Sequence, residues 1–178
     1  MSFLRLSHGR AGGLWTAALA ILLGYVWIAG AVAQDRQVAR TTEGDITRFA
    51  SLRADDVNVR AGPGVRYPVK WKFVQRNMPV QIIAEYDTWR KIRDWEGAEG
   101  WVHRAMLSSR RSLIMMGQGQ TMRQDATDDS AAVARLATGF VVMVSGCTRE
   151  WCEVEAAGYE GWIKRDSVWG IFPGEKIR

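Results

Sequence analysis

The chain has 178 residues with 24 basic and 19 acidic side chains, a formal net charge of +5. That length holds one domain or two small ones, and a hydrophobic content of 47% excludes a wholly disordered chain. With two cysteines and only His8 and His103, the sequence has too few ligands for a disulfide scaffold, a four-cysteine zinc site or a histidine-based metal cluster, so no metal is expected.

Residues 1–10 carry Arg5, Arg10 and His8 and no acidic side chain, and residues 11–33 carry no charge at all. The centre of that run reads Leu14-Trp15-Thr16-Ala17-Ala18-Leu19-Ala20-Ile21-Leu22-Leu23, and the run ends on the small residues Ala31 and Ala33. A positive start, an apolar middle and small residues at the end predict a secretory signal helix cut between Ala33 and Gln34. The same run is long enough to span a bilayer, so an uncleaved anchor is the alternative. Both readings export the folded part to the periplasm or cell envelope, with membrane contact only if the segment is retained. Export excludes nucleic acid as a partner. Without residues 1–33 the net charge falls to +3, an ordinary soluble balance.

Residues 34–46 are polar and read as a flexible lead-in. Beyond them the chain repeats itself. Trp89-Arg90-Lys91-Ile92 and Glu99-Gly100-Trp101-Val102-His103-Arg104 return as Trp151-Cys152-Glu153-Val154 and Glu160-Gly161-Trp162-Ile163-Lys164-Arg165, at spacings of 62 and 61 residues. Val80 to Tyr86 and Phe140 to Val144 are short β-branched or apolar runs that predict strands. Turn residues surround them at Ala61-Gly62-Pro63-Gly64, Glu96-Gly97, Ala157-Gly158 and Pro173-Gly174. Many short strands in a unit of about 60 residues favour a small barrel, barely large enough for its own core. The two copies are therefore expected to pack together or share an edge.

Asn58-Val59-Arg60-Ala61-Gly62-Pro63-Gly64, followed by Tyr67-Pro68-Val69, resembles the opening of bacterial Src-homology-3-like (SH3b) domains. Trp89 and Gly100-Trp101-Val102 sit at that family's downstream positions. The second copy resembles the same family, with a degenerate opening (Met122-Arg123-Gln124-Asp125-Ala126) and a well-matched ending from Leu136 through Trp169-Gly170-Ile171-Phe172-Pro173-Gly174-Glu175. The resemblance implies an all-β fold of two tandem small barrels, residues 47–111 and 112–178, each with five or six strands, behind the hydrophobic signal helix. It also implies a binding role in the cell envelope, without catalysis or cofactor.

A barrel core requires Ile92 to be buried. Strand alternation then sends Trp89, Lys91, Arg93 and Trp95 outward, and it turns Val102 inward with Trp101 and His103 on the opposite side. Tyr67 resembles the aromatic position of the long first loop that borders the family's ligand groove. Tyr67, Trp89, Lys91, Arg93, Trp95, Trp101 and His103 are the candidate ligand-binding residues. Aromatic faces grip apolar stems and the cations pair with carboxylates, which suits peptides or peptidoglycan. The competing reading is that these tryptophans close the barrel ends or join the copies. The protein is then a scaffold whose partner is an envelope protein. The charge is also split, +6 over residues 47–111 and −2 over residues 112–178.

Cys147 and Cys152 flank a four-residue loop, Thr148-Arg149-Glu150-Trp151, and are expected to face each other across a hairpin as a structural disulfide. Catalysis is not expected. A cysteine nucleophile needs a histidine base, and His103 lies in copy one while both cysteines lie in copy two. Neither a His-x-x-x-His spacing nor a Gly-x-Ser-x-Gly elbow occurs, and Asp125, Asp128 and Asp129 read as a solvated turn.

Overall fold

The computed structural model describes residues 47–177. The expected signal helix, the expected cleavage between Ala33 and Gln34 and the expected lead-in all fall outside the described residues. Among the described residues no helix is long and apolar enough to cross a membrane.

Copy one contains β1 (Arg48–Leu52), β2 (Val57–Arg60), β3 (Val69–Phe73), β4 (Pro79–Tyr86), β5 (Trp89–Arg93), β6 (Glu99–His103), a 3-10 turn (Arg104–Met106) and β7 (Leu107–Ser108). Copy two repeats the series as β8 (Ser112–Met115), β9 (Gln120–Arg123), β10 (Ala132–Leu136), β11 (Val141–Cys147), β12 (Trp151–Ala156), β13 (Tyr159–Lys164), a 3-10 turn (Arg165–Ser167) and β14 (Val168–Trp169). The strands lie in two separate antiparallel sheets, ordered β3-β2-β6-β5-β4-β1-β7 and β10-β9-β13-β12-β11-β8-β14. Advancing every strand by seven converts the first order into the second, so the duplication in the sequence is a duplication of topology. Each copy has seven strands rather than five or six, because its first strand also pairs with the two-residue β7 or β14.

Each sheet curls around its own core. Leu52, Val57, Val59, Val80, Ile82, Ile92, Val102 and Leu107 converge from six strands of the first sheet into one cluster. Leu113, Met122, Leu136, Val142, Val154 and Ile163 do the same in the second. Ile92 and Val102 point inward as strand alternation requires. Two equivalent glycines permit the close approach of β2 to β6 and of β9 to β13. A Cβ on Gly100 would lie 2.4 Å from Val59 Cγ1, and one on Gly161 would lie 2.6 Å from the Arg123 carbonyl oxygen. This is why Gly-Trp recurs at that place in both copies.

The copies do pack together, through their first strands. β1 and β8 are buried on both faces, because in each strand one face fills its own core and the other is turned to the opposite copy. Ser51 Oγ donates to the Arg110 carbonyl at 2.7 Å and lies 2.6 Å from Ser112 Oγ, which then donates to it. Phe49 packs against Trp169 and Phe172, with ring centroids at 4.9 and 4.7 Å. Ile114 of copy two joins the core cluster of copy one. In the connecting segment, Arg111 pairs with Glu175 at 2.6 Å, donates to the Gly170 carbonyl and lies over the Phe49 ring. Burial alone pushes the Glu175 carboxyl up. The hydrogen bonds from Arg111 and the Phe172 amide, with the charges of Arg111 and Arg165, outweigh it and hold the carboxyl below its ordinary value.

Cys147 and Cys152 are register partners on β11 and β12 and form the expected disulfide.

Candidate ligand-binding surface

Three register pairs on the outward side of β5 and β6 carry most of the candidate residues of copy one: Trp89 opposite His103, Lys91 opposite Trp101, and Arg93 opposite Glu99. Directly opposed side chains on one face of a sheet lie close enough to interact, which makes these six a continuous ladder. The Trp89 ring meets the His103 ring edge-on at 5.5 Å. His103 Nδ1 accepts from the Ala105 amide, so the imidazole also caps the following 3-10 turn. Lys91 and Arg93 both bind Glu99, at 2.8 and 2.6 Å. Their hydrogen bonds hold the Glu99 carboxyl below its ordinary value. The cations therefore already share a carboxylate within the protein, and they outnumber it.

Tyr67 and Trp95 are placed elsewhere. Tyr67 sits in the β2–β3 loop, its ring laid on Gly62, where a Cβ would come 2.5 Å from Tyr67 Cδ1. Arg60 anchors that loop by donating to the Val65 and Tyr67 carbonyls, and Arg60 is itself the register partner of Trp101. The outward direction expected for Trp95 is corrected by the structure. Strand β5 ends at Arg93, and the Asp94 carboxylate then accepts from the amides of Glu96 and Ala98 to close a tight turn. Strand alternation stops at that turn, and Trp95 packs half-buried on the core of copy one.

Copy two presents the same ladder with altered chemistry. Trp151 faces Lys164, Glu153 faces Trp162, and Glu155 faces Glu160. Glutamates thus stand at the positions of Lys91 and Arg93. Trp151 is buried, with the Lys164 ammonium 5.5 Å from its ring centre. Lys164 also pairs with Asp128 of the β9–β10 loop at 2.5 Å. A cavity of about 760 Å³ opens beside this group, walled by Trp151, Val168, Ile171 and Pro173 and edged by the charges of Arg149, Glu150, Arg165 and Asp166. Its size is that of a small-molecule or short-peptide site, and its lining combines an apolar wall with balanced charge.

Sequence reasoning placed the site in copy one, where the family's opening motif is better preserved, and passed over this cavity. The signal that leads to it is positional: Trp151 and Lys164 occupy the places of Trp89 and His103. Asp128, read as part of a solvated turn, belongs to the cavity's rim. The contact between the copies falls to Phe49, Trp169 and Phe172 rather than to the copy-one tryptophans. Both thiols are committed to the disulfide, and among the described residues no group of three His, Cys, Asp or Glu side chains could hold a metal ion.

Residues 53–109 and 117–170 each match the family model of the bacterial SH3 domain. The putative N-acetylmuramoyl-L-alanine amidase YrvJ of Bacillus subtilis (strain 168) is 23% identical over an alignment 155 residues long that covers 77% of this chain and 30% of that protein. The chain thus spans less than a third of that relative's length. Among solved structures, NlpC1 of Trichomonas vaginalis has a TM-score of 0.32 at 12% identity, covering 68% of this chain and 45% of that one. NlpC2 of the same organism has a TM-score of 0.32 at 11% identity, covering 69% and 48%. The two matched segments take up more than half of the chain and fall one on each sheet; the chain belongs to the bacterial SH3 domain family and carries two tandem copies of that domain.

Proposed function

We propose that this protein is an exported, non-catalytic binding protein of the cell envelope whose tandem domains hold peptides or peptidoglycan. The observation that carries this reading is the recurrence of one aromatic edge in both copies: Trp89 with His103, and Trp151 with Lys164 beside the large cavity. In copy one the ligand-facing residues are Trp89, Lys91, Arg93, Trp101 and His103, with Tyr67 contributed by the first loop. Trp95 supports them from the core side. Aromatic faces take apolar stems, and the surplus of cations over Glu99 leaves donors for a carboxylate. The amidase relative, whose name refers to N-acetylmuramoyl-L-alanine, supports a cell-wall ligand. The non-catalytic part rests on both thiols being bonded in the Cys147–Cys152 disulfide.

The test is retention of the purified protein on isolated cell-wall sacculi. The expected result is retention that falls about tenfold or more with Trp89→Ala or Tyr67→Ala, the loss of an aromatic anchor. No retention by the unaltered protein overturns the reading. Retention unchanged by both substitutions removes the copy-one assignment and leaves the cavity of copy two, which Lys164→Glu then tests.

A further inference from the structure

The ladders of the two copies have the same geometry and opposite charge. In copy one Lys91 and Arg93 surround the single carboxylate of Glu99, and Lys70 donates to the Glu99 backbone carbonyl, so two cations share one acid with a third beside them. In copy two Glu155 stands directly opposite Glu160, with Glu153 next along the strand. Like charges in direct cross-strand register destabilise a sheet. Among the described residues none of these three glutamates forms an ion pair, and all three are exposed. They line an open groove of about 420 Å³ together with Arg110 and with Arg111, whose guanidinium is paired with Glu175. Because the copies are joined through β1 and β8, and the glutamates remain exposed, the two ladders do not satisfy each other within one molecule.

We infer that the copy-one ladder of one molecule docks on the copy-two ladder of a second copy of this chain. Lys91 and Arg93 enter the glutamate groove, and the half-buried Trp101 and Trp162 provide the apolar centre of the contact. The unpaired glutamates, costly to their own sheet, are then matched between molecules. The contact joins two different patches, so it either closes into a small symmetric oligomer or continues as a string of copies. A neighbouring copy and a wall ligand would compete for the copy-one face, but the association itself does not depend on the ligand reading.

Sedimentation velocity on the purified protein alone tests this at rising concentration and low ionic strength. The expected result is association that disappears in 1 M salt, where the screening length is about 3 Å. Lys91→Glu with Arg93→Glu, and separately Glu155→Lys with Glu160→Lys, are each expected to weaken association about tenfold or more. Mixing the two variants restores opposite charges across both contacts and is expected to restore association. All four positions are on the surface, and far-ultraviolet circular dichroism checks that each variant keeps its fold. A monomer at every concentration overturns the inference. So does association that ignores both charge reversals, or two dissociated variants that do not recover on mixing.

Discussion

Phe49 on β1 and Trp169 on β14 meet edge to face across the junction of the two copies, with ring centroids 4.9 Å apart and planes at 85°. Each ring is supplied by a different copy, so the contact exists only when both barrels are folded and joined. Small barrels of this size have little core to spare. The junction is therefore part of the stability of both. Phe49→Ala is expected to cost about 3 kcal/mol, in the range for large-to-small changes at buried aromatics. Differential scanning calorimetry should show one cooperative transition in the unaltered protein and two separated transitions in the variant. A single transition of unchanged midpoint would count against the coupling.

Arg111 and Glu175 fasten the same junction at 2.6 Å. Glu175 is held below its ordinary value of 4.5, so its contribution is complete above that value and is lost as the pH falls through the lower folded value. Glu99, held low by Lys91 and Arg93, adds to the loss in the same acid window. Glu175→Gln should lower stability at neutral pH by about 1–2 kcal/mol, as for a weakened hydrogen bond to a charged group. It should also flatten, without abolishing, the decline in urea midpoint below pH 4.5.

The disulfide between Cys147 and Cys152 closes a short loop at the end of β11 and β12. On the chain-entropy model its removal costs about 2 kcal/mol. Replacing both cysteines with serine should lower the urea midpoint of the protein, and reducing agent should shift the unaltered protein but not the double variant.

Gly100 and Gly161 hold equivalent places where a neighbouring strand passes too close for a side chain. Neither has a left-handed backbone, so the demand is for space and not for conformation. Gly161→Ala must push back the Arg123 carbonyl and the Met122 side chain. Gly100→Ala must displace Val59 in the same way. Each is expected to destabilise its copy by about 1–3 kcal/mol through overpacking, read as a lower melting temperature with unchanged far-ultraviolet circular dichroism.

Much of copy one was legible because strand geometry is local. A period of two along Trp89–Arg93 and Glu99–His103 places Ile92 and Val102 inside, and it leaves Trp89, Lys91, Arg93, Trp101 and His103 on one outward ladder. The period fails at Trp95, where the Asp94 turn interrupts the strand. It is also uninformative for β1 and β8, where a strand buried on both faces reads only as an apolar run with a serine in it. The pairing of Ser51 with Ser112 could not be foreseen from either run alone.

By itself the sequence determined the duplication, the all-β character of both copies, the inward and outward assignment of β5 and β6, and the disulfide. Each follows from spacing within a few residues or from direct repetition of a motif. Only the tertiary structure decided that Phe49, Arg111, Trp169 and Glu175 join the copies, and that a cavity of about 760 Å³ lies beside Trp151. These features are built from side chains far apart in the chain, brought together by the curl of each sheet and the packing of β1 against copy two, and no local period encodes that closure.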